Sequence, residues 1–233
     1  METLGPKQKR AGLIIERLYH LYPGSACSLY HVDAFQLLMA TILSAQCTDD
    51  RVNKVTPELF RRWNSAYMLA EAPLEDVKDV IRSTGFFNHK AKNMIAASNM
   101  IVKRFNGEVP NRLEDLTQLP GVGRKTANVV LGVVYHQPAI VVDTHVGRIS
   151  RHLGFTRESD PGKIELDLQN ILPREHWITW NHMIIDHGRR VCTARNPRCH
   201  VCQLCDLCPG PFDKKGIKLN KTCLKSFQST DKE

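Results

Sequence analysis

The chain has 233 residues, a formal net charge of +8 and a pI of about 9.1. This charge favours a polyanionic partner such as nucleic acid, with an ordinary basic protein as the alternative. No apolar run approaches the roughly 18 residues that cross a bilayer, and the charged segment 1–10 lacks the hydrophobic stretch of a secretory signal. Composition therefore predicts an intracellular protein, in the cytoplasm or nucleoid if the source is bacterial, with no membrane partner.

Apolar residues recur at helical spacing along most of the chain. The predicted helices are an amphipathic one over 8–21, an apolar one over 35–45, one capped by Thr48 or Asp49, one beginning at Pro73, one capped by Asn88 and running to Phe105, one capped by Asn111 and one opened by Pro161. Strand-like alternation is nearly absent, and the one continuous apolar run, 138–142, is too isolated to form a sheet. The sequence predicts an all-α protein.

The segment Leu119–Val130 joins a tight turn to an apolar helix. Gly121 and Gly123 flank Val122, so the backbone there comes close to a partner. The N–H groups that begin the following helix lack helical acceptors and point at that partner. This arrangement predicts a site for an anion such as phosphate.

Arg124 and Lys125 occupy the first turn of that helix, where cations oppose the helix dipole. A broken local rule marks a candidate functional site. A phosphate would attract Arg124. The helix end, the cationic neighbour and partial burial would disfavour the ammonium of Lys125 and leave a nucleophilic amine. The alternative is that both are solvated surface cations on a DNA-binding hairpin.

Asp143 ends the buried run and immediately precedes a predicted helix. In this place an aspartate is a good N-cap. A carboxylate partly withdrawn from water also acts as a general base or stabilises a developing positive charge. The two roles are compatible, and the position by itself leaves both open.

Five of the eight cysteines lie within 192–208, which points to a metal centre rather than to disulfides. Four of them have the spacing x6, x2 and x5; they are Cys192, Cys199, Cys202 and Cys208. Four thiolates suit either zinc or an iron–sulfur cluster. With Cys205, a second set of four is also possible, because Cys199, Cys202, Cys205 and Cys208 are evenly spaced. Arg195 and Arg198 lie inside this loop, where a metal would hold them in place to contact phosphates.

Together these motifs resemble the endonuclease III family, within the helix-hairpin-helix superfamily of base-excision DNA glycosylases. The resemblance covers roughly residues 8 to 210. The segments that carry it are Leu43–Gln46 with Thr48 and Asp49, 85–92, 119–130, 142–145, His187–Arg189 and the four-cysteine spacing.

The resemblance implies two helical domains with damaged double-stranded DNA in the cleft between them. A six-helix domain with the hairpin spans 27–137. The other, formed by 1–26 with 138–212, holds a 4Fe–4S cluster. The remaining segment, 213–233, is a basic tail with six lysines against three acids. The expected form is a monomer.

The resemblance also implies roles for individual residues. Lys125 matches the lysine that attacks C1′ of the damaged nucleotide, and Asp143 matches the aspartate that assists. Gln46 matches the residue that fills the gap left by the flipped base, and Phe86 matches a wedge position that is commonly leucine. The cluster ligands are Cys192, Cys199, Cys202 and Cys208. The further DNA contacts, predicted from the hairpin and the cysteine loop themselves, are Gly121, Val122, Gly123, Arg124, Arg195 and Arg198.

The predicted function is a bifunctional DNA glycosylase and AP lyase that removes oxidised pyrimidines in base excision repair. A glycosylase for another lesion or mismatch is the alternative within the same class. A non-catalytic hairpin protein with a structural metal is the alternative from another class. A redox sensor built on the cysteine loop is the third.

Overall fold

A computed structural model describes residues 2–210 of the chain, and within that range all the regular structure is helical. The α-helices are α1 (Leu4–Leu21), α2 (Ala34–Leu43), α3 (Asp49–Arg62), α4 (Ala66–Ala70), α5 (Leu74–Ile81), α6 (Phe87–Phe105), α7 (Leu113–Leu116), α8 (Arg124–Val133), α9 (Thr144–His152), α10 (Pro161–Ile171) and α11 (Trp177–Arg190). Three short 3₁₀ turns span Arg82–Thr84, Arg174–His176 and Cys199–Val201. The all-α prediction is confirmed.

The chain divides into two compact units. One spans Cys27–Ala139, and the other joins the N-terminal segment up to Ala26 to the chain from Ile140 onward. The predicted boundary between them was at residue 137. The predicted basic tail, 213–233, lies outside the described residues.

In the unit Cys27–Ala139 the central element is α2. Every residue from Leu37 to Leu43 is buried, so this helix is apolar on all sides, as a helix enclosed by others must be. Asp33 caps it, because its carboxylate accepts a hydrogen bond from the Gln36 N–H at 2.8 Å. Leu43, the last residue of the helix, is fully buried, so the helix ends inside the core.

The other unit is built on α1, α9, α10 and α11. Helix α1 buries one stripe at helical spacing, consisting of Ala11, Ile14, Ile15 and Leu18. Trp180 and Phe155 pack in the same core with ring centroids 5.9 Å apart. The amphipathic N-terminal helix thus joins residues from beyond Ile140 because its apolar stripe is buried in their core.

Two of the predicted helix starts are wrong. Asn88 lies inside α6, because the chain enters that helix through left-handed residues, Gly85 at φ +68° and Phe86 at φ +48°. Asn111 does not cap α7, which begins after Arg112 without a side-chain cap. The cap at Thr48 is confirmed, because its hydroxyl accepts a hydrogen bond from the Arg51 N–H at 3.3 Å.

Gly147, in the middle of α9, has no conformational need to be glycine. A Cβ there would meet Ile164 Cδ1 at 3.5 Å and Val142 Cγ1 at 3.7 Å, which are ordinary contacts. Nothing in the structure explains this glycine. None of the helices within 2–210 combines the length and apolarity that a bilayer span requires.

Candidate functional site

The turn between α7 and α8 forms as predicted. The Val122 N–H donates to the Leu119 carbonyl at 3.0 Å, and Val122 itself is buried. Gly121 has a φ of +79°, and a Cβ there would stand 2.9 Å from Asn93 Cβ, so the turn requires glycine at this position.

Gly123 is the N-cap of α8, and no side chain caps the helix there. Its φ is −90°, and a Cβ on it would meet nothing within 4 Å. Neither backbone conformation nor protein packing therefore requires glycine at this position. The exposed start of α8 keeps backbone N–H groups available for an anion, as the sequence predicted.

Lys125 is exposed, which corrects the expectation of partial burial. Helix α8 buries the face that carries Ala127, Val130 and Leu131, and Lys125 lies off that face. Within residues 2–210 its amine makes no hydrogen bond or ion pair. The amine is thus directly accessible to a DNA strand. Arg124 beside it is exposed as well.

Gln46 and Phe86 share an uncommon conformation. Their φ angles are +53° and +48°, in the left-handed region, and both side chains are exposed. Phe86 exposes 64% of its surface, although a bulky residue pays a conformational cost in this region. Such strain persists where the surrounding structure enforces it, and it concentrates at functional sites.

Lys90 is a buried cation that no sequence motif indicates as a functional residue. It is 5% exposed, and its ammonium donates to the carbonyl oxygens of Leu43 at 2.7 Å and Thr84 at 2.8 Å. Burial lowers the pKa of this ammonium. The one sequence feature that could have indicated Lys90 is its place near a predicted helix start, where a cation opposes the helix dipole.

Asp143 is the N-cap of α9, because its carboxylate accepts a hydrogen bond from the Val146 N–H at 2.7 Å. The side chain is half-buried and belongs to the unit that contains Ile140 onward. The capping role anticipated for this residue is therefore present, and it leaves the second carboxylate oxygen for other contacts.

The four predicted cluster cysteines line one small cavity together with Ile149, Leu153 and Leu204. All four carry thiols rather than disulfides. Cys205 lines the same cavity. Burial is the main cause that raises the pKa of Cys192 to about 12; Arg148 opposes the rise, and the neighbouring thiols Cys208, Cys202 and Cys199 contribute to it. Four thiolates gathered in so apolar a cavity require a cationic partner.

Four cysteine sulfurs that line one apolar cavity are a donor set that fits an iron–sulfur cluster, and the same donors also suit a zinc ion.

Buried histidines contact the sulfurs. His187 Nε2 lies 3.6 Å from Cys202 Sγ, and the Tyr22 hydroxyl lies 3.0 Å from His187 Nδ1. Burial lowers the pKa of His187 to about 4, so the ring is neutral. If the Tyr22 hydroxyl donates to Nδ1, the Nε2–H faces the sulfur, as outer partners of metal ligands do. His152 Nδ1 lies 3.5 Å from Cys192 Sγ.

The loop between the first two cysteines is held by its own hydrogen bonds. The Thr193 hydroxyl donates to the Asn196 carbonyl at 2.6 Å, and the Arg198 N–H donates to the Val191 carbonyl at 3.0 Å. Arg195 and Arg198 are exposed on this loop, and the Arg198 guanidinium donates to the Arg190 carbonyl at 3.4 Å. An ordered backbone with exposed guanidinium groups is suited to phosphate contacts.

Two protein families match the chain. Residues 39–174 match the HhH-GPD superfamily of base excision DNA repair proteins. Residues 192–208 match the iron–sulfur binding domain of endonuclease III, which includes all four predicted ligands and Cys205.

Individual relatives are similar over nearly their whole length. Endonuclease III of a Synechocystis species is 51% identical over 210 residues, which are 90% of this chain and 96% of that protein. Endonuclease III of Bacillus subtilis is 42% identical, over 90% and 97% of the two chains. The structure of a trapped endonuclease III–DNA covalent intermediate superposes with a TM-score of 0.83 at 41% identity, covering 90% of this chain and 97% of that one.

Proposed function

The chain belongs to the endonuclease III family of the HhH-GPD superfamily, and from this premise we propose that Lys125 is the nucleophile of its DNA glycosylase and AP lyase reaction. The protein is a base-excision DNA glycosylase with AP lyase activity. The observation that supports Lys125 is its exposed amine in the first turn of an uncapped helix. The proposed substrates are oxidised pyrimidines in duplex DNA.

The reaction begins with eversion of the damaged nucleotide, because C1′ is not open to attack inside a duplex. The nitrogen lone pair of Lys125 attacks C1′, and the damaged base leaves with the bond electrons. Loss of a proton from nitrogen and opening of the sugar produce a Schiff base. The Schiff base acidifies C2′, and loss of that proton expels the 3′ phosphate by β-elimination.

Two groups assist in this scheme. The backbone N–H groups at the start of α8, from the N-cap Gly123 onward, with Arg124, hold a phosphate of the damaged strand. Asp143 stabilises the positive charge that develops on the sugar and then transfers a proton. Its capping bond to Val146 fixes the direction of the carboxylate.

Gln46 and Phe86 fill the space that the everted nucleotide leaves. Inserted side chains offset part of the stacking that eversion removes. The exposed, left-handed conformation of both residues supports this role.

The 4Fe–4S cluster, held by Cys192, Cys199, Cys202 and Cys208, supplies a structural cross-link when bound. The arginines at 195 and 198 then contact phosphates from a rigid loop. The apolar cavity and the neutral His187 keep the sulfurs away from water.

The proposal is tested by borohydride trapping on a duplex that contains thymine glycol. Wild-type protein should form a covalent adduct, since borohydride reduces the Schiff base, and Lys125→Ala should form none. Lys92→Ala is the matched control, because Lys92 is an exposed lysine of the same unit and its loss changes the net charge equally.

An undiminished adduct in Lys125→Ala would remove this residue from the mechanism. Binding to abasic DNA without cleavage, in a preparation that holds its iron, would favour the non-catalytic alternative. Adducts on other lesions but none on thymine glycol would redirect the substrate assignment.

We further propose that the protein acts as a monomer on intracellular DNA. The similar proteins from Synechocystis and Bacillus subtilis are bacterial, which supports action at the nucleoid. Sedimentation should give the 26.5 kDa of one chain, and a dimer mass would contradict the proposal.

A further inference from the structure

Lys90 stands in an unfavourable place for a charged side chain. It is the fourth residue of α6 and is 5% exposed. Near a helix N-terminus a cation opposes the dipole, and a buried ammonium loses its hydration. The surrounding structure must therefore supply strong hydrogen-bond acceptors. The hydrogen bonds to these acceptors explain why a lysine occupies this position.

The acceptors are two backbone carbonyls from separate segments. Leu43 is the last residue of α2, and Thr84 is the last residue of the 3₁₀ turn Arg82–Thr84. Carbonyls at helix ends lack helical partners and need others. The Lys90 Nζ thus bonds to two helix ends, which lie 41 positions apart in the sequence and are linked covalently only through the intervening chain.

Each of these two helix ends is followed within three positions by an exposed residue with a positive φ. Gln46 follows Leu43 by three positions, and Phe86 follows Thr84 by two. Both residues have positive φ angles, and such conformations persist only where neighbouring structure determines them. The Lys90 ammonium therefore donates to a carbonyl just before each of the turns that contain Gln46 and Phe86.

We propose that Lys90 is a positioning residue that holds the Gln46 and Phe86 turns in a fixed relation, so that both side chains enter the vacated base stack together. This inference rests on the gap-filling role proposed above. Lysine suits the task because its three donors radiate from one point and reach two carbonyls at once, whereas the planar guanidinium of arginine has a different geometry.

The test uses Lys90→Met, which keeps the apolar stem and removes the ammonium. Two reactions are compared with wild type: base removal from a thymine-glycol duplex, and Schiff-base trapping at a preformed abasic site in single-stranded DNA. The first requires the gap to be filled and the second does not. We expect duplex activity to fall roughly 10- to 100-fold, the effect of a misplacement of about 1 Å, and single-stranded trapping to stay within about twofold of wild type.

A base analogue provides a second readout. 2-Aminopurine beside the lesion reports local unstacking by its fluorescence at saturating protein. We expect Lys90→Met to change this signal and the matched variant Lys92→Met, an exposed lysine of the same helix, to leave it unchanged. If Lys90→Met does not fold, Lys90→Gln replaces it, since an uncharged amide keeps N–H donors at this buried position.

Combined variants separate this inference from the function on which it rests. In a Gln46→Ala/Phe86→Ala background, Lys90→Met should lower duplex activity by less than about a further twofold, because the effects of residues that act through one another are not additive. An equal loss on both substrates, or full additivity, would overturn the positioning role. If Gln46→Ala and Phe86→Ala leave duplex activity unchanged, the gap-filling proposal fails instead.

Discussion

At the scale of single residues, Asp143 serves the fold and, in the proposed mechanism, the reaction. Its carboxylate caps α9 through the Val146 N–H. Asparagine caps a helix about as well as aspartate but has no charge. The two roles are therefore separable by substitution.

We expect Asp143→Asn to keep the thermal unfolding midpoint and to lower the single-turnover rate of base removal by about 10²-fold or more. Asp143→Ala should lose the same activity and about 1 kcal/mol of stability as well, because the cap is gone. Thermal unfolding and single-turnover cleavage measure the two effects. Equal activity of the asparagine variant and wild type would restrict Asp143 to capping.

At the scale of elements, the hairpin before α8 contains two glycines with different reasons to be there. Gly121 has a left-handed φ and contacts Asn93 closely, so the fold requires it. Gly123 has an ordinary φ and open space around its Cα. Glycine is a better N-cap than alanine, and a DNA backbone that approaches the α8 N-terminus is a second physical reason for a glycine at position 123.

We expect Gly121→Ala to destabilise the protein by about 1–2 kcal/mol or more, from left-handed strain and the clash with Asn93. Gly123→Ala should leave stability within about 1 kcal/mol of wild type, because the lower N-cap preference of alanine and its smaller unfolded-state entropy offset each other.

The affinities of Gly121→Ala and Gly123→Ala for undamaged duplex DNA are compared by fluorescence anisotropy. Gly123→Ala should bind more weakly, because the added methyl group stands where a phosphate approaches. Unchanged affinity would mean that the DNA backbone does not approach this residue.

At the scale of the whole molecule, the net charge of +8 implies that phosphate contacts dominate DNA affinity. Arg195 and Arg198 are proposed to make two of these contacts from the cysteine loop. Each phosphate contact contributes about −0.9 to the slope of log affinity against log salt.

We expect Arg195→Ala/Arg198→Ala to weaken binding to all sequences alike and to reduce the slope by about 2. Arg61→Ala/Arg62→Ala is the control, because it removes the same charge from two arginines that pair with Glu58. Titrations across a salt series measure both slopes. Equal slopes for the two double variants would remove the cysteine loop from the DNA interface.

The amino-acid sequence by itself determined the helical class, the hairpin, the Asp143 cap and the four-cysteine loop. Each of these depends on residues only a few positions apart, whose side-chain chemistry and backbone preferences act locally. Tertiary structure decided the rest. It exposed Lys125, began α6 before Asn88, and joined Lys90 to a carbonyl 47 positions away. Such contacts arise from packing between distant segments, and no local pattern encodes them.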